Sequence, residues 1–196
     1  KIYKSNRFTD AIFGSISIAL LILAHNAMSL MFVPFILIYG ALLIYLSKDK
    51  GKILINLFFM LTMGFGLSAF FWVPGLFEGK YTLRNIVTKG SYASSFVAFK
   101  NLIYGPWNYG ISGQFTVQFG LLQWLAIIIS PFVFLRNKKN KEIKYLLFFS
   151  LLYLIIAIFL MLPISNFIWE KIMLLQNFQF PWRFLAIPVF TASVLG

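Results

Sequence analysis

His25 and Asn26 are the only strongly polar side chains that stand side by side in a long apolar run, from Ala11 to Leu46. Polar groups at membrane depth are costly, and they usually face a cavity or a partner. As a pair they could hydrogen-bond a substrate head group, with His25 as an acid or base. The plainer reading is a helix turn in which Asn26 caps the second helix. A second group, Glu78, Lys80 and Arg84, follows another apolar block. Lys80 and Arg84 suit a phosphate-bearing substrate, and Glu78 would serve as a carboxylate base. The same three charges also read as a membrane exit, since no second carboxylate lies nearby in sequence. The sharpest signal is Phe180-Pro181-Trp182-Arg183-Phe184, with Gln176 and Gln179 just before it. An arginine beside a tryptophan, after a proline-enforced bend at the mouth of a helix, can hold a phosphate or act as an interfacial anchor. The run Tyr104-Gly105-Pro106-Trp107-Asn108-Tyr109-Gly110 offers aromatic rings to sugars, or it is part of an aromatic belt at head-group level.

Standard catalytic and cofactor templates are missing. There is no phosphate-binding glycine loop, no zinc-binding histidine pair and no G-x-S-x-G elbow. One histidine, five acidic residues and no cysteine leave no histidine-rich metal centre, thiolate site or disulfide framework. No cofactor is identifiable from the residues themselves. Asp10, at a helix start, reads as a cap.

The elements that must position these groups are set by composition. The chain is 60% hydrophobic and 11% charged, with a mean hydropathy of +0.85, against about 25% charged residues in an ordinary soluble domain. So few charges cannot cover a soluble surface, and the apolar residues fall in long blocks rather than periodic stripes. The expectation is an all-α polytopic transmembrane bundle. The net charge of +12 would suggest nucleic acid in a soluble chain. Here the basic residues sit in short gaps between apolar blocks, where they orient helices, so nucleic acid is excluded as a partner and membrane lipids are expected.

The block Ala11–Leu46 would reach roughly 54 Å as one helix, against a hydrocarbon core of about 30 Å. It must fold back near His25, which gives helices at 9–26 and 29–47. A third helix is expected over Ile53–Pro74, where Gly64, Gly66, Ser68 and Ala69 form a small-residue patch for close helix contact. Residues 75–118 read as an outer loop too aromatic for simple disorder, expected to pack on the membrane surface. Helices at 119–135 and 144–162 follow. A second outer segment, 163–183, carries a short interfacial helix over Phe167–Leu175, and a sixth helix begins near Phe184. The reading is thus about six helices in one transmembrane domain over 1–196. With the N-terminus cytoplasmic, short inner loops hold 11 of the 17 basic residues, the arrangement favoured by the positive-inside rule. His25, Asn26 and both long segments then lie outside. The start at Lys1 and the end at Gly196 inside an apolar run lead us to expect further residues on both sides.

Three stretches carry a resemblance: Ala24-His25-Asn26-Ala27-Met28-Ser29-Leu30, Gly66-Leu67-Ser68-Ala69-Phe70-Phe71-Trp72-Val73-Pro74 and Gln179-Phe180-Pro181-Trp182-Arg183-Phe184. Together they resemble bacterial and archaeal multipass membrane proteins with a "6-pyruvoyl-tetrahydropterin synthase-related" domain. That group is similar to YfhO-type proteins and, more distantly, to C-type (GT-C) glycosyltransferases. Pterin chemistry is not implied, because the soluble synthase needs a histidine-bound zinc and this chain has one histidine. The resemblance implies a GT-C-like bundle in a prokaryotic plasma membrane. Such a bundle would transfer a hexose or pentose from a polyprenyl-phosphate carrier to a cell-envelope acceptor at the outer face, and it allows a divalent metal. It places the catalytic acid upstream of Lys1, leaving His25, Asn26, Glu78, Arg84, Trp182 and Arg183 as candidate substrate-binding residues. The competing expectation is a non-catalytic transporter, lipid-handling protein or scaffold. A transporter would be expected to show broken helices and inverted repeats, and neither is seen in the sequence.

Overall fold

A computed structural model of the chain describes residues 7–81, 90–105, 116–136 and 141–195. Among these the regular structure is helical, with no strand. The chain divides into two compact units, Lys1–Asn85 and Ile86–Gly196.

The first unit holds α1 (Phe8–Ala24), α2 (Asn26–Leu46), α3 (Lys50–Leu67) and α4 (Ala69–Phe77), then a 3₁₀ turn at Gly79–Tyr81. α1 packs chiefly on α3, and both touch α2. Its buried stripe, Ala11, Ser15, Ile18, Ala19 and Ile22, repeats every three or four residues, as one face of a helix must. α3 answers with Ile53, Asn56, Leu57 and Gly64. The two helices meet most closely at Gly64, where a built Cβ would lie 2.7 Å from Ile18 Cγ2 and 3.1 Å from the Ser15 carbonyl. The small-residue patch is therefore real but narrower than expected, since a Cβ at Gly66 would meet nothing within 4 Å. Asp49 caps α3, accepting from the Lys52 N–H at 3.2 Å.

The third apolar block is not one helix through Pro74. It breaks at Ser68, whose backbone (φ −98, ψ 4) leaves the helical region. The Ser68 hydroxyl donates to the Gly64 and Phe65 carbonyls at 3.0 and 3.2 Å. Trp72 Nε1 also donates to the Phe65 carbonyl, at 2.9 Å. Side chains thus satisfy carbonyls that a continuous helix would satisfy with backbone N–H groups, which is how serine competes with helix propagation.

The second unit holds α5 (Phe99–Ile103), α6 (Leu121–Arg136), α7 (Lys141–Met161), α8 (Asn166–Lys171), α9 (Met173–Gln176) and α10 (Ala186–Leu195). 3₁₀ turns lie at Pro163–Ser165 and Pro181–Leu185. α10 packs on both α6 and α7. Small buried residues, Ser130 on α6, Ala157 on α7 and Thr191 and Ala192 on α10, let these backbones approach. The buried hydroxyls return to their own helices, Ser130 to Ile127 O at 3.0 Å and Thr191 to Ile187 O at 2.9 Å. The interfacial helix expected over Phe167–Leu175 is two short helices broken at Ile172, and the last helix opens as a 3₁₀ turn before Ala186.

Three helices, α2, α3 and α7, are long and apolar enough to cross a membrane. α1 with 17 residues and α6 with 16 are apolar but shorter, against about 20 for a typical span. Large apolar side chains stand outward, Phe13 at 69%, Phe58 at 66% and Phe132 at 69% exposed. Hydrocarbon accepts such a surface and water does not. The described helices and their apolar outer faces are those expected of a helical membrane protein.

Candidate functional site

In the first unit the turn between α1 and α2 is a single residue, His25, in extended conformation (φ −167, ψ 116). Its Nδ1 accepts from the Ala27 N–H at 3.2 Å, and its carbonyl accepts from the Ser29 N–H at 3.0 Å. His25 is therefore the N-cap, not Asn26, which is already the first helical residue. The residue with non-helical dihedrals takes the cap position, and an imidazole nitrogen does there what an Asn or Ser oxygen usually does. Both side chains are exposed. Glu78, also exposed, closes α4, its N–H donating to the Pro74 carbonyl at 2.7 Å. Among the described residues no hydrogen bond or ion pair joins Glu78 to the His25–Asn26 turn. Arg84 and the Lys80 side chain lie outside the described residues.

The cap gives a first expected result. His25→Ala should destabilise the first unit by about 1 kcal/mol, while His25→Asn, which restores a strong cap, should retain most of that. Thermal melts of the two variants in detergent measure the difference, and identical melts would remove the cap from the account of this turn.

In the second unit the residues before α10 form a tight turn. Gln179 has φ 66, the one non-glycine with a left-handed backbone among the described residues, a conformation that costs of order 1–3 kcal/mol and persists only where the surroundings over-determine it. Three hydrogen bonds do so here. The Phe178 carbonyl accepts from the Phe180 N–H at 2.7 Å and from Arg183 Nη1 at 3.1 Å, and the Phe180 carbonyl accepts from the Arg183 N–H at 3.1 Å. Phe180 is extended (φ −127, ψ 120), as a residue before proline prefers, and Pro181 starts the 3₁₀ turn with its fixed φ. The Phe180 ring lies parallel to Trp182 (centroids 5.4 Å, 9° between planes) and carries the Arg183 guanidinium, with Cζ 5.2 Å from its centroid. Arg183 is half-buried. With Nη1 given to Phe178 and its face on Phe180, the Nε–Nη2 edge is left, and that edge is a parallel pair of donors matched to an oxyanion. Trp182 and Arg183, neighbours in sequence, thus both lie against the Phe180 ring.

Beneath this ledge lies a hub that sequence reasoning missed. Trp169, fully buried, stacks on Tyr92 (5.4 Å, 20°) and meets Phe96 and Phe184 edge-on at 6.0 Å each. Its Nε1 donates to the Leu160 carbonyl at 3.0 Å, and its own carbonyl accepts from Gln176 Nε2 at 2.9 Å. The Val97 N–H donates to the Met161 carbonyl at 2.9 Å, tying the same segments together. From the 75–118 segment, Tyr92 and Phe96 therefore pack into this hub. Tyr81 and Tyr104 are exposed, while Trp107, Tyr109 and Phe115 lie outside the described residues.

Among the described residues no three His, Cys, Asp or Glu side chains gather into a group that could hold a metal ion. No family model matches the chain. No solved structure matches it. It is similar to a protein of Lactococcus lactis subsp. cremoris (strain MG1363) described as uncharacterized, with 30% identity over 174 residues. The matched region is 84% of this chain and 27% of that protein, so the chain spans about a quarter of that relative's length.

Proposed function

We propose that this chain is part of a glycosyltransferase-like membrane protein of the GT-C kind, acting on a polyprenyl-phosphate-linked sugar at the outer face of a prokaryotic plasma membrane. The observation that carries the reading is the Arg183 guanidinium, held before the last helix by the Phe178 carbonyl through Nη1 and by the Phe180 ring, contacts that use neither Nε nor Nη2. Preorganised donors aimed at developing charge are what a departing phosphate needs. Trp182 and Phe180 add an apolar flank along which a lipid-borne head group can lie. The carboxylate that would activate the acceptor belongs outside this chain, in keeping with the resemblance to GT-C enzymes. No step is assigned to a metal. His25, Asn26, Glu78 and Arg84 stay secondary candidates for substrate contact. The N-terminus of the chain is placed in the cytoplasm.

The rival is a non-catalytic lipid-handling protein, transporter or scaffold. It would bind the lipid-borne head group without transferring it, because binding needs the arginine and catalysis also needs a carboxylate.

The test is Arg183→Lys and Arg183→Gln in the full-length protein. Arg183→Lys keeps the charge but cannot both hold the Phe178 carbonyl and present two parallel donors. Loss of a charge-assisted pair of about 1.5–3 kcal/mol predicts roughly 10- to 100-fold weaker binding of a polyprenyl-phosphate sugar for both variants. Unchanged affinity in both would make Arg183 an anchor of the turn alone. Full binding with no sugar transfer to any acceptor would favour the rival.

A further inference from the structure

The last carbonyls of a helix have no partner within it and commonly turn to water. At the end of α7, four in succession are taken by protein donors instead. The Phe159 carbonyl accepts from the Leu162 N–H at 3.1 Å, and the Met161 carbonyl from the Val97 N–H at 2.9 Å. The Ser165 hydroxyl is shared between the Leu160 and Leu162 carbonyls, at 3.1 and 2.8 Å, and Trp169 Nε1 adds a second donor to Leu160. The chain beyond keeps this habit. Gln176 Nε2 serves the Trp169 carbonyl, and the Ile172 and Leu175 carbonyls accept from the Leu175 and Phe178 N–H groups, each at 2.9 Å. The elbow formed by residues 163–176 thus satisfies these backbone groups without solvent.

Its outer surface is apolar. Ile164 is 69% exposed, Phe167 53%, Met173 79% and Leu174 55%, while Ser165 and Trp169 are fully buried beneath them. Trp169 fills the interior, so these side chains have no room to fold inward. Two observations name the medium that covers them. First, the surface is continuous with a membrane span. α7 is long and apolar enough to cross a bilayer, and Ile164 stands three residues past its last residue, Met161. A chain leaving hydrocarbon at Met161 is at the lipid interface over the next few residues. Second, two charges stand among the apolar groups: Glu170 and Lys171 are exposed on α8, Glu170 held by Asn166 Nδ2 at 2.6 Å. Charges are costly in the hydrocarbon core, and a cluster of large apolar side chains is unfavourable in water. The head-group boundary accepts both.

We propose that this elbow lies in the lipid interface of the leaflet in which α7 ends, with Ile164, Phe167, Met173 and Leu174 among the acyl chains and Glu170 and Lys171 at head-group level. Because Trp169 also packs on Phe184, the elbow sets the height of the Arg183 turn relative to the bilayer. The placement stands whether or not the protein transfers sugars.

The test is nitroxide depth measurement on the full-length protein, freed of any other cysteine and reconstituted in phosphatidylcholine–phosphatidylglycerol bilayers. Labels at Met173→Cys and Phe167→Cys, with Lys171→Cys as reference, report depth through collisions with oxygen and with a water-soluble nickel chelate. The first two labels should lie about 5–10 Å below the phosphates, and the Lys171 label at or above them. All three side chains are exposed, and Ile164→Cys replaces either of the first two should it fail to fold. Labels at Met173 and Phe167 that meet the nickel chelate as freely as the Lys171 label would put the elbow in water and overturn the proposal. Labels shielded from both reagents would mean that protein covers this face, which overturns it as well.

Discussion

Gly64→Leu is expected to abolish the folded yield of the first unit, while Gly66→Leu, two residues on, leaves it close to wild type. The difference lies in what each new side chain meets. At Gly64 the first added carbon would sit 2.8 Å from Ile18 Cβ and 3.1 Å from the Ser15 carbonyl, and at Gly66 it meets open space. Ile18 Cβ is fixed to the α1 backbone and cannot swing aside, so the helices themselves must part. Even Gly64→Ala should cost about 1–3 kcal/mol, and leucine more, because cores are close-packed. Ile18→Ala should partly rescue Gly64→Ala, since the two residues touch and their effects are not additive. Thermal unfolding followed by size-exclusion in detergent measures all four proteins. Equal melting of the Gly64 and Gly66 variants would show that α1 and α3 do not meet at Gly64.

Trp169→Ala should be at least as damaging in the second unit. It empties the centre of the ring cluster formed with Tyr92, Phe96 and Phe184 and withdraws the donor from the Leu160 carbonyl. Truncating a buried tryptophan costs about 3–5 kcal/mol. Trp169→Phe refills most of the space and loses chiefly the hydrogen bond, so it should cost about 1–2 kcal/mol. Because Phe184 belongs to the hub and follows Arg183 directly, Trp169→Ala should also loosen the Arg183 ledge and weaken binding of a phosphate-bearing lipid. Near-ultraviolet circular dichroism and the detergent melting temperature separate the two variants. If the phenylalanine variant is as unstable as the alanine variant, the hydrogen bond and not the packing holds the hub.

Large features of this protein were legible in the sequence because bulk composition dictates them. Long apolar blocks with 11% charge leave a helical membrane protein as the one solution that satisfies every backbone group in lipid. That the first block folds back followed from its length, the polar residues at His25 and Asn26 marked the place, and helix boundaries at α6 and α7 fall within a few residues of where apolar runs start and stop. The bend before the last helix was legible as well, since proline fixes the local path at Pro181.

Tertiary structure decided which member of each pattern does the work. Sequence spacing marked Gly64 and Gly66 alike, but a helix turns by 100° per residue and presents only one of them to α1. It named Asn26 as the cap on propensity, whereas the dihedrals at the fold-back handed that place to His25. It treated Ile53–Pro74 as one helix because apolar composition does not register a serine that turns its hydroxyl back onto the chain at Ser68. Trp169 lies within the segment expected as a short interfacial helix, Phe167–Leu175, and nothing in the sequence singled it out. Its burial depends on Tyr92 and Phe96, more than seventy residues earlier in the chain, and such non-local partners leave no periodic trace in the sequence around it. Arg183 was visible as a cation from the start. Which of its edges remains for a ligand depends on the Phe178 carbonyl and the Phe180 ring, and those are set by the left-handed turn at Gln179, a conformation no local propensity favours.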